Sequence, residues 1–437
     1  MMIHTDLIVS ADLVLTQNDS RELIENGAVA VSNGVLQAVG KADEIRSTYT
    51  AGRDIALTRS LLMPGLINAH THMPMTLLRG KADDLPLMTW LTEHIFPLEA
   101  KLTPHMLQVG TRLACAEMLR TGTTAFNDMY LNEPQVYRTV DECGMRAMVG
   151  EGLSCYPTLG CSDPALALEV IGAQADELAG NRRIKYCVAP HSVYTTNEET
   201  LAKCADFAQK RGLPLHIHLA ESKTETAQSL KMHGARPVEV CRRQGVLGPS
   251  TTAAHCVDLT DAEMDILAET RTVVAHNPRS NMKLASGAAP VDALLKKGAR
   301  LGLGTDGASS NNSLNMFAEM SACALMHKLV NAEATSLPAQ TVLDMATLGG
   351  AEALHWPGLG RLVPGSPADF IALDLGAPNM QPMYEAASHL AYAASGHEVS
   401  LTVVDGQVLY ENGSFSSIDY PGLLEEVREI QDWMRRQ

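Results

Sequence analysis

The chain lacks several features that would assign it to particular classes of protein. No apolar run approaches the roughly 18 consecutive residues that a membrane-spanning helix requires. The nine cysteines are scattered, with no Cys-x-x-Cys pair, so the sequence suggests neither a disulfide framework nor a thiolate zinc site. Lys and Arg number 34 against 50 Asp and Glu, and the resulting net charge of −16 repels phosphate backbones. We therefore expect neither a membrane nor a nucleic acid as a partner.

The composition is that of a large globular protein. With 437 residues, 46% hydrophobic and 19% charged, the chain can bury a large core in one big domain with an appendage, or in two domains. Residues 1–6 show no basic region followed by an apolar stretch, as a secretory signal would. We therefore expect a cytoplasmic protein.

Both ends of the chain carry β-hairpin patterns. Residues 29–39 turn at Asn33-Gly34 and residues 401–410 turn at Asp405-Gly406, where Gly accepts the positive φ of a tight turn. With the apolar run 369–373, they predict one small β-sandwich domain assembled from both chain ends. We expect its halves to be residues 1–61 and 367–437, the second with a terminal helix, and residues 62–366 to form the inserted main domain.

The middle of the chain alternates short apolar runs with segments of helical spacing. The runs resemble strands buried on both faces, and they are residues 62–69, 122–128, 146–151, 184–190, 214–219, 251–257, 272–276 and 300–305. The helical segments include 103–120, 164–179, 196–211, 224–245, 260–269 and 313–330. Eight such units in about 260 residues predict a (β/α)8 barrel. A doubly wound open sheet is the alternative, but no glycine-rich phosphate-binding motif follows any strand.

Histidines are concentrated where the predicted strands end. A barrel enzyme places its chemistry at those ends, which here carry His70, His72, His191, His216, His218, His255, His276 and, on the eighth strand, Asp306. His70 and His72 stand at positions i and i+2 of an extended strand, so both imidazoles face one space. The alternative, a set of satisfied core histidines, does not account for six strand ends with such residues.

These residues lie in motifs with a known arrangement. In chain order, NAHTHM, FPLEA, APHS, HIHLAE, AAHC, AHNPRSNMKLASG and GLGTDGASSNN resemble the amidohydrolase superfamily, and within it the 5'-methylthioadenosine/S-adenosylhomocysteine deaminases. The resemblance implies one zinc ion per subunit and a homo-oligomer, dimer or tetramer. It implies that the zinc ligands are His70, His72, His218 and Asp306. It implies that the catalytic residues are Glu221, His255 and Asp306. The residues expected to contact the nucleoside are Glu99, His191, Glu221 and Asp306.

The chemistry of these residue types agrees with the resemblance. Three neutral imidazoles and a carboxylate suit Zn²⁺ with one position left for water, although the same ligands accept iron or manganese. Relatives with two metals bridge them through a lysine on strand four, whereas Lys185 stands at the opposite end of that strand. We therefore expect one metal. His216 lies one pleat below His218, and we interpret it as structural.

The expected reaction is hydrolysis of a C–N bond in a cyclic amidine. We expect Asp306 to accept the proton of the attacking water and His255 to donate a hydrogen bond to its oxygen. Glu221 would protonate ring nitrogen N1 during attack at C6, and ammonia would leave. Such general acid–base assistance typically contributes about 10²–10⁴ in rate.

The identity of the substrate leaves alternatives open. Relatives that take S-adenosylhomocysteine have arginines after strand three, whereas residues 151–161 contain none, so methylthioadenosine or adenosine is favoured. Arg279 is the remaining candidate for a tail carboxylate, and His276 is interpreted as shaping a loop. A guanine deaminase or triazine chlorohydrolase would use the same scaffold. A catalytically inactive binding protein is the third hypothesis, but no metal ligand is missing and Glu221 is present.

Overall fold

The structure is a computed structural model that describes residues 2–436, and its strands alternate with helices through the middle of the chain. The strands are β1 Ile3–Leu15, β2 Leu23–Ser32, β3 Val35–Lys41, β4 Tyr49–Ala56, β5 Ser60–Pro64, β6 Leu66–His72, β7 Thr123–Tyr130, β8 Arg146–Leu153, β9 Ile184–Tyr186, β10 Ala189–Pro190, β11 Leu215–Leu219, β12 Thr251–His255, β13 Val273–His276, β14 Arg300–Leu303, β15 Asp306–Gly307, β16 Phe370–Asp374, β17 Val399–Val404, β18 Gln407–Glu411 and β19 Ser414–Phe415.

The α-helices are α1 Ala42–Thr48, α2 Leu87–Thr89, α3 Phe96–Glu99, α4 Pro104–Arg120, α5 Glu133–Cys143, α6 Ala167–Glu177, α7 Glu198–Arg211, α8 Lys223–His233, α9 Pro237–Arg243, α10 Asp261–Glu269, α11 Pro278–Lys283, α12 Val291–Lys296, α13 Ala308–Asn311, α14 Met316–Asn331, α15 Ala339–Asp344, α16 Gly350–Ala353, α17 Ala386–Ser388 and α18 Tyr420–Arg435. Short 3₁₀ turns cover Met73–Leu78, Pro164–Leu166 and Pro378–Met380, and π-helical turns cover Trp90–Ile95, Met345–Gly349 and His389–Ala393. Within residues 2–436, we find no helix with the length and apolar character needed to cross a bilayer.

A nine-stranded sheet combines both ends of the chain, as predicted. Its order is β19-β18-β17-β16-β5-β1-β2-β3, and β4 pairs with the first part of β1. The sheet branches at β1, whose residues Leu13 and Val14 pair with β5. Its two branches pack on each other, because Leu36 of β3 and Phe370 of β16 belong to one buried cluster. The predicted sandwich is therefore a single branched sheet folded over its own core.

The middle of the chain forms a closed ring of eight parallel strand positions. One sheet has the order β10-β8-β7-β6-β15, with β9 also on β8, and the other has the order β11-β12-β13-β14. Bridges from Val188 to Leu215 and from Ser192 to His218 join the two sheets on one side. On the other side β14 leads directly into β15, which pairs with β6. The predicted (β/α)8 barrel is confirmed, and the open-sheet alternative is wrong.

Two predicted elements are each divided in the structure. The run 62–69 falls on β5, which pairs with β16 in the end sheet, and on β6, which begins the barrel. Gly65 separates them, and a Cβ atom at this position would overlap the side chain of Thr124. The predicted helix 224–245 is two helices, because Gly234 ends α8 with a φ of 63° and Pro237 begins α9. The predicted domain boundaries at residues 61 and 366 stay predictions.

A buried ion pair connects the barrel to the end sheet. Arg146 of β8 donates from Nε to Asp369 Oδ2 at 2.7 Å, and both side chains are at most 3% exposed. The guanidinium also lies over the ring of Trp356, 4.7 Å from its centroid. Breaking such a pair by removing one partner leaves an uncompensated buried charge, which costs about 3–5 kcal/mol. This contact therefore stabilises the bottom of the barrel.

The terminal helix packs on the barrel. Arg112 of α4 forms an ion pair with Glu426 of α18 at 3.0 Å, and Lys81 donates to the carbonyl of Met434 at 2.7 Å. Leu423, Ile430 and Met434 of α18 are buried. The helix therefore lies against α4, beside the loop that contains Lys81.

Candidate active site

Four side chains from three places in the barrel converge at one point. His70 and His72 come from the end of β6, His218 from β11 and Asp306 from β15, and their ligand atoms all lie within 4.8 Å of one another. Asp306 Oδ1 is 3.4 Å from His70 Nε2 and 3.1 Å from His72 Nε2. His218 Nε2 is 3.2 Å from His72 Nε2. The four predicted metal ligands are thus brought together.

The outer nitrogen of each of these histidines has a partner of its own. Nδ1 of His70 lies 2.9 Å from His216 Nε2, Nδ1 of His72 contacts the carbonyl of Met129, and Nδ1 of His218 lies 2.8 Å from the carbonyl of His191. Partners of this kind fix ring orientation in metal sites. They leave the three Nε2 atoms facing the common centre, and His216 contacts His70 rather than that centre.

The donor set fits a zinc ion. Nε2 of His70 is buried without a hydrogen-bond partner, which is unusual for a buried polar atom and expected of a metal ligand. Burial lowers the pKa of His70 to about 3 and holds that of His218 well below its usual range, so both imidazoles are neutral. Lys185 lies at the far end of the barrel, 3.9 Å from the ring of Trp356, and cannot bridge a second metal.

Asp306 and His72 are in direct contact, and each shifts the pKa of the other. Burial acts to lower the pKa of His72, but the hydrogen bond and charge of Asp306, together with the charge of Asp128 and the carbonyl of Met129, raise it to about 9. Burial likewise acts to raise the pKa of Asp306, yet the neighbouring imidazoles of His70 and His72 hold it well below its usual range. Metal ligands must be deprotonated, so His72 would bind a metal ion as a neutral imidazole.

The outer oxygen of Asp306 is held by two serines that the sequence prediction missed. Ser280 Oγ donates to Oδ2 at 2.6 Å and Ser310 Oγ donates to the same atom at 2.7 Å. Oδ1 is left facing the histidines. Both serines follow the ends of strands seven and eight within the motifs quoted above, so their place at the barrel mouth was a signal available in the sequence.

Glu221 and His255 face the same space from neighbouring strand ends. His255 has a left-handed backbone (φ 74°), and its Nδ1 lies 2.9 Å from Asn281 Oδ1, which leaves Nε2 toward the centre. Burial raises the pKa of Glu221. The backbone N–H groups of Ala220 and Glu221 donate to the carboxylate of Glu225 at 3.1 and 2.6 Å, which fixes the turn after β11.

A cavity of about 520 Å³ opens above this centre. Polar groups line its floor, and the long first loop supplies an apolar wall of Leu87, Trp90, Leu91 and Phe96. Glu99 also lines it and accepts a hydrogen bond of 2.7 Å from the hydroxyl of Tyr130. Burial raises the pKa of Glu99 to about 7. The loop therefore covers an apolar pocket with one carboxylate aimed inward.

The chain was compared with known proteins. The Amidohydrolase family matches residues 61–409. This chain belongs to the amidohydrolase family. A 5-methylthioadenosine/S-adenosylhomocysteine deaminase of Nitratidesulfovibrio vulgaris is 55% identical over 429 residues, 98% of each chain. A 5'-deoxyadenosine deaminase of Methanothermobacter thermautotrophicus is 41% identical and covers 92% of this chain and 95% of its own. A zinc-bound adenosine deaminase structure from Xanthomonas campestris superposes with a TM-score of 0.98 at 38% identity over 100% of both chains.

Of the remaining predicted residues of this amidohydrolase, one lines the cavity and one does not. His191 lines the cavity, its Nδ1 lies 3.0 Å from Thr195 Oγ1, and burial lowers its pKa to about 4, so the ring is neutral. Arg279 does not line the cavity, and its Nε lies 4.0 Å from Glu319 Oε1. Within the described chain, neither lysine nor arginine contributes to the cavity wall.

Tyr130, which orients Glu99, was missed by the sequence analysis because nothing in its own sequence segment marks it.

Proposed function

We propose that this amidohydrolase is a zinc-dependent deaminase that converts 5'-modified adenosines to the inosine derivative and ammonia. The convergence of His70, His72, His218 and Asp306 at the floor of a nucleoside-sized cavity carries this proposal. The deaminase names of the relatives and the zinc in the similar structure support it. They confirm the predicted family and the predicted reaction class, a hydrolase acting on C–N bonds in cyclic amidines.

The proposed mechanism gives each polar group at the cavity floor a role in proton transfer or hydrogen bonding. Zinc, when bound, lowers the pKa of a water molecule to about 7. Asp306 accepts the proton of the attacking water, and the hydrogen bonds from Ser280 and Ser310 to its Oδ2 hold the carboxylate in place. His255 Nε2 forms a hydrogen bond with the attacking water; because the Nδ1–H group of His255 points at Asn281 Oδ1, which only accepts, Nε2 of the neutral ring is the acceptor. Glu221, whose raised pKa favours the protonated form, gives its proton to N1 as C6 becomes tetrahedral and ammonia leaves.

Glu99 and His191 hold the nucleoside in this proposal. An ionised carboxylate accepts hydrogen bonds from two hydroxyl groups together, and Tyr130 orients the carboxylate of Glu99 for that purpose. His191 lines the wall beside His218. Guanine has no ribose, so the alternatives of a guanine deaminase or a triazine chlorohydrolase leave the buried Glu99 without a ligand.

The cavity favours substrates with an uncharged 5' group. The amino-acid tail of S-adenosylhomocysteine carries a carboxylate, and the described cavity wall has no lysine or arginine to pair with it. The apolar wall from the first loop offers a better environment for a methylthio group, since burying one methylene-sized group contributes about 0.8 kcal/mol. We therefore propose methylthioadenosine or adenosine as the preferred substrate.

Ammonia release from a panel of compounds tests the proposal. The zinc-loaded protein is incubated separately with methylthioadenosine, adenosine, S-adenosylhomocysteine and guanine, and kcat/KM is measured for each. We expect the two neutral nucleosides to lead. Turnover of guanine alone would favour the alternative deaminase, and equal kcat/KM for S-adenosylhomocysteine and methylthioadenosine would contradict the preference for an uncharged 5' group.

The proposed assembly rests on exposed apolar side chains of one helix. Helix α14 exposes Leu325, Leu329 and Val330, of which Leu329 is 82% exposed. Grouped exposed apolar side chains mark interaction surfaces, and we propose that they contribute to a homo-oligomer, dimer or tetramer. Sedimentation velocity at micromolar concentration measures its size. Cytoplasmic location stays a prediction.

A further inference from the structure

A second cluster of potential metal ligands lies outside the proposed active site. His276 stands at the end of β13, and Cys323 and His327 stand on α14. The ligand atoms of the three side chains lie within 4.8 Å of one another, and all three residues are buried. None of them lines the substrate cavity. The cluster is therefore separate from the chemistry described above.

The geometry of the cluster follows from its two elements. Cys323 and His327 are four residues apart, so they lie on one face of the helix, one turn from each other. That face packs against the barrel, and His276 Nε2 lies 3.1 Å from His327 Nε2. Two nitrogens bound to one tetrahedral zinc ion at about 2.0–2.1 Å are about 3.3 Å apart. The observed spacing is within about 0.2 Å of that value.

The polar atoms of this cluster are poorly satisfied by the protein. Burial lowers the pKa of His276 and of His327, so both rings are neutral, and each has the other as its hydrogen-bond partner. Nδ1 of His276 is buried without a partner. The thiol of Cys323 has no hydrogen-bond partner within the described residues. Buried polar groups are normally paired, so the Cys323 thiol is an unpaired donor beside the two Nε2 atoms.

We propose that His276, Cys323 and His327 bind a second zinc ion, which clamps strand β13 to helix α14. Two imidazoles and a thiolate match the preference of zinc for nitrogen and sulfur ligands, and a water molecule completes the tetrahedron. On binding, the Cys323 thiol loses its proton to solvent, and both Nε2 atoms give the metal a lone pair. The site is structural, since it lies away from the cavity.

Cobalt(II) distinguishes this site from the first one. Cobalt replaces zinc in tetrahedral sites, and a cobalt–thiolate bond produces an intense charge-transfer absorption in the near ultraviolet. The His70, His72, His218 and Asp306 site contains no sulfur, so that absorption reports only on the second cluster.

The full chain, freed of metal by dialysis against a chelator, is titrated with cobalt(II) alone under anaerobic conditions. We expect two cobalt ions per chain and a thiolate charge-transfer band that saturates with one of the two equivalents. Binding of that equivalent should also raise the Tm. One cobalt per chain without the band, in protein that keeps its native circular dichroism, would overturn the proposal.

Substitution assigns the band to its ligand. Cys323→Ser should abolish the band and reduce the stoichiometry from two to one, while deaminase activity with the first equivalent is retained. The matched control is Cys241→Ser, which changes another fully buried cysteine, on α9, and should leave the band unchanged. Persistence of the band in Cys323→Ser would contradict the assignment. If that variant fails to fold, the stoichiometry and spectrum of the unsubstituted chain still decide the question.

Discussion

Replacing Glu99 with Gln tests the proposed ribose contact most directly. The carboxylate is buried in the cavity wall and is held at 2.7 Å by the hydroxyl of Tyr130, so its position should survive the change. Gln has the same shape, keeps one acceptor oxygen and loses the charge. In the proposed mechanism the reacting C6 lies at the cavity floor, away from Glu99. The substitution should therefore weaken nucleoside binding while leaving the chemistry intact.

The expected loss follows from the strength of hydrogen bonds to charged and neutral acceptors. A hydrogen bond to an ionised group contributes about 1.5–3 kcal/mol and one between neutral groups about 0.5–1.5 kcal/mol. The difference is about 1 kcal/mol for each of two ribose hydroxyls, or about 2 kcal/mol in total. At 1.4 kcal/mol for each factor of ten, KM should rise about 30-fold.

The pH dependence of kcat/KM provides a second readout. Burial raises the pKa of Glu99 to about 7, so the group is ionised above that pH and protonated below it. Only the ionised form accepts from both hydroxyls, so kcat/KM should fall as pH decreases through about 7. In Glu99→Gln this step should disappear, because Gln does not titrate.

Two controls show whether the ribose is responsible. Tyr130→Phe removes the orienting hydroxyl but keeps the charge of Glu99, so KM should rise less than in Glu99→Gln. With 2'-deoxyadenosine, one hydroxyl is absent, so the ratio of kcat/KM between the unsubstituted protein and Glu99→Gln should shrink. A lower kcat at unchanged KM, or an unchanged pH profile in Glu99→Gln, would refute the reasoning.

Three further predictions concern the proton donor, the metal and the fold. Glu221→Gln should lower kcat by about 10²–10⁴ while zinc content, measured by atomic emission, stays at the level of the unsubstituted protein; near-normal turnover would remove Glu221 from the mechanism. His218→Ala should lose zinc from the first site and with it activity, and a fully zinc-loaded, active variant would show that this ligand is not needed. Arg146→Ala should lower the free energy of unfolding by about 3–5 kcal/mol in urea titrations, because Asp369 remains buried and unpaired; a loss below 1 kcal/mol would contradict that.

Much of the fold could be predicted because its determinants are local. Eight apolar runs separated by helical segments carry the (β/α)8 pattern, and in a barrel their C-terminal ends meet at one mouth. Alternation along β6 then places His70 and His72 on the same side. The split at Gly65 was not predicted, because β5 and β6 form one apolar run in the sequence and differ only in the strands with which they pair.

The candidate site shows the same division between local and distant determinants. By itself, the sequence determined which residue types stand at the strand ends, and the motif resemblance singled out His70, His72, His218 and Asp306 among them as the expected metal ligands. Only the tertiary structure decided that Tyr130 orients Glu99, that Ser280 and Ser310 hold Asp306, and that His276 meets His327. Except for the contact of Ser310, these contacts join residues that are 26 to 51 positions distant in the sequence. Their geometry depends on how helices and loops pack on the barrel, which no local pattern encodes.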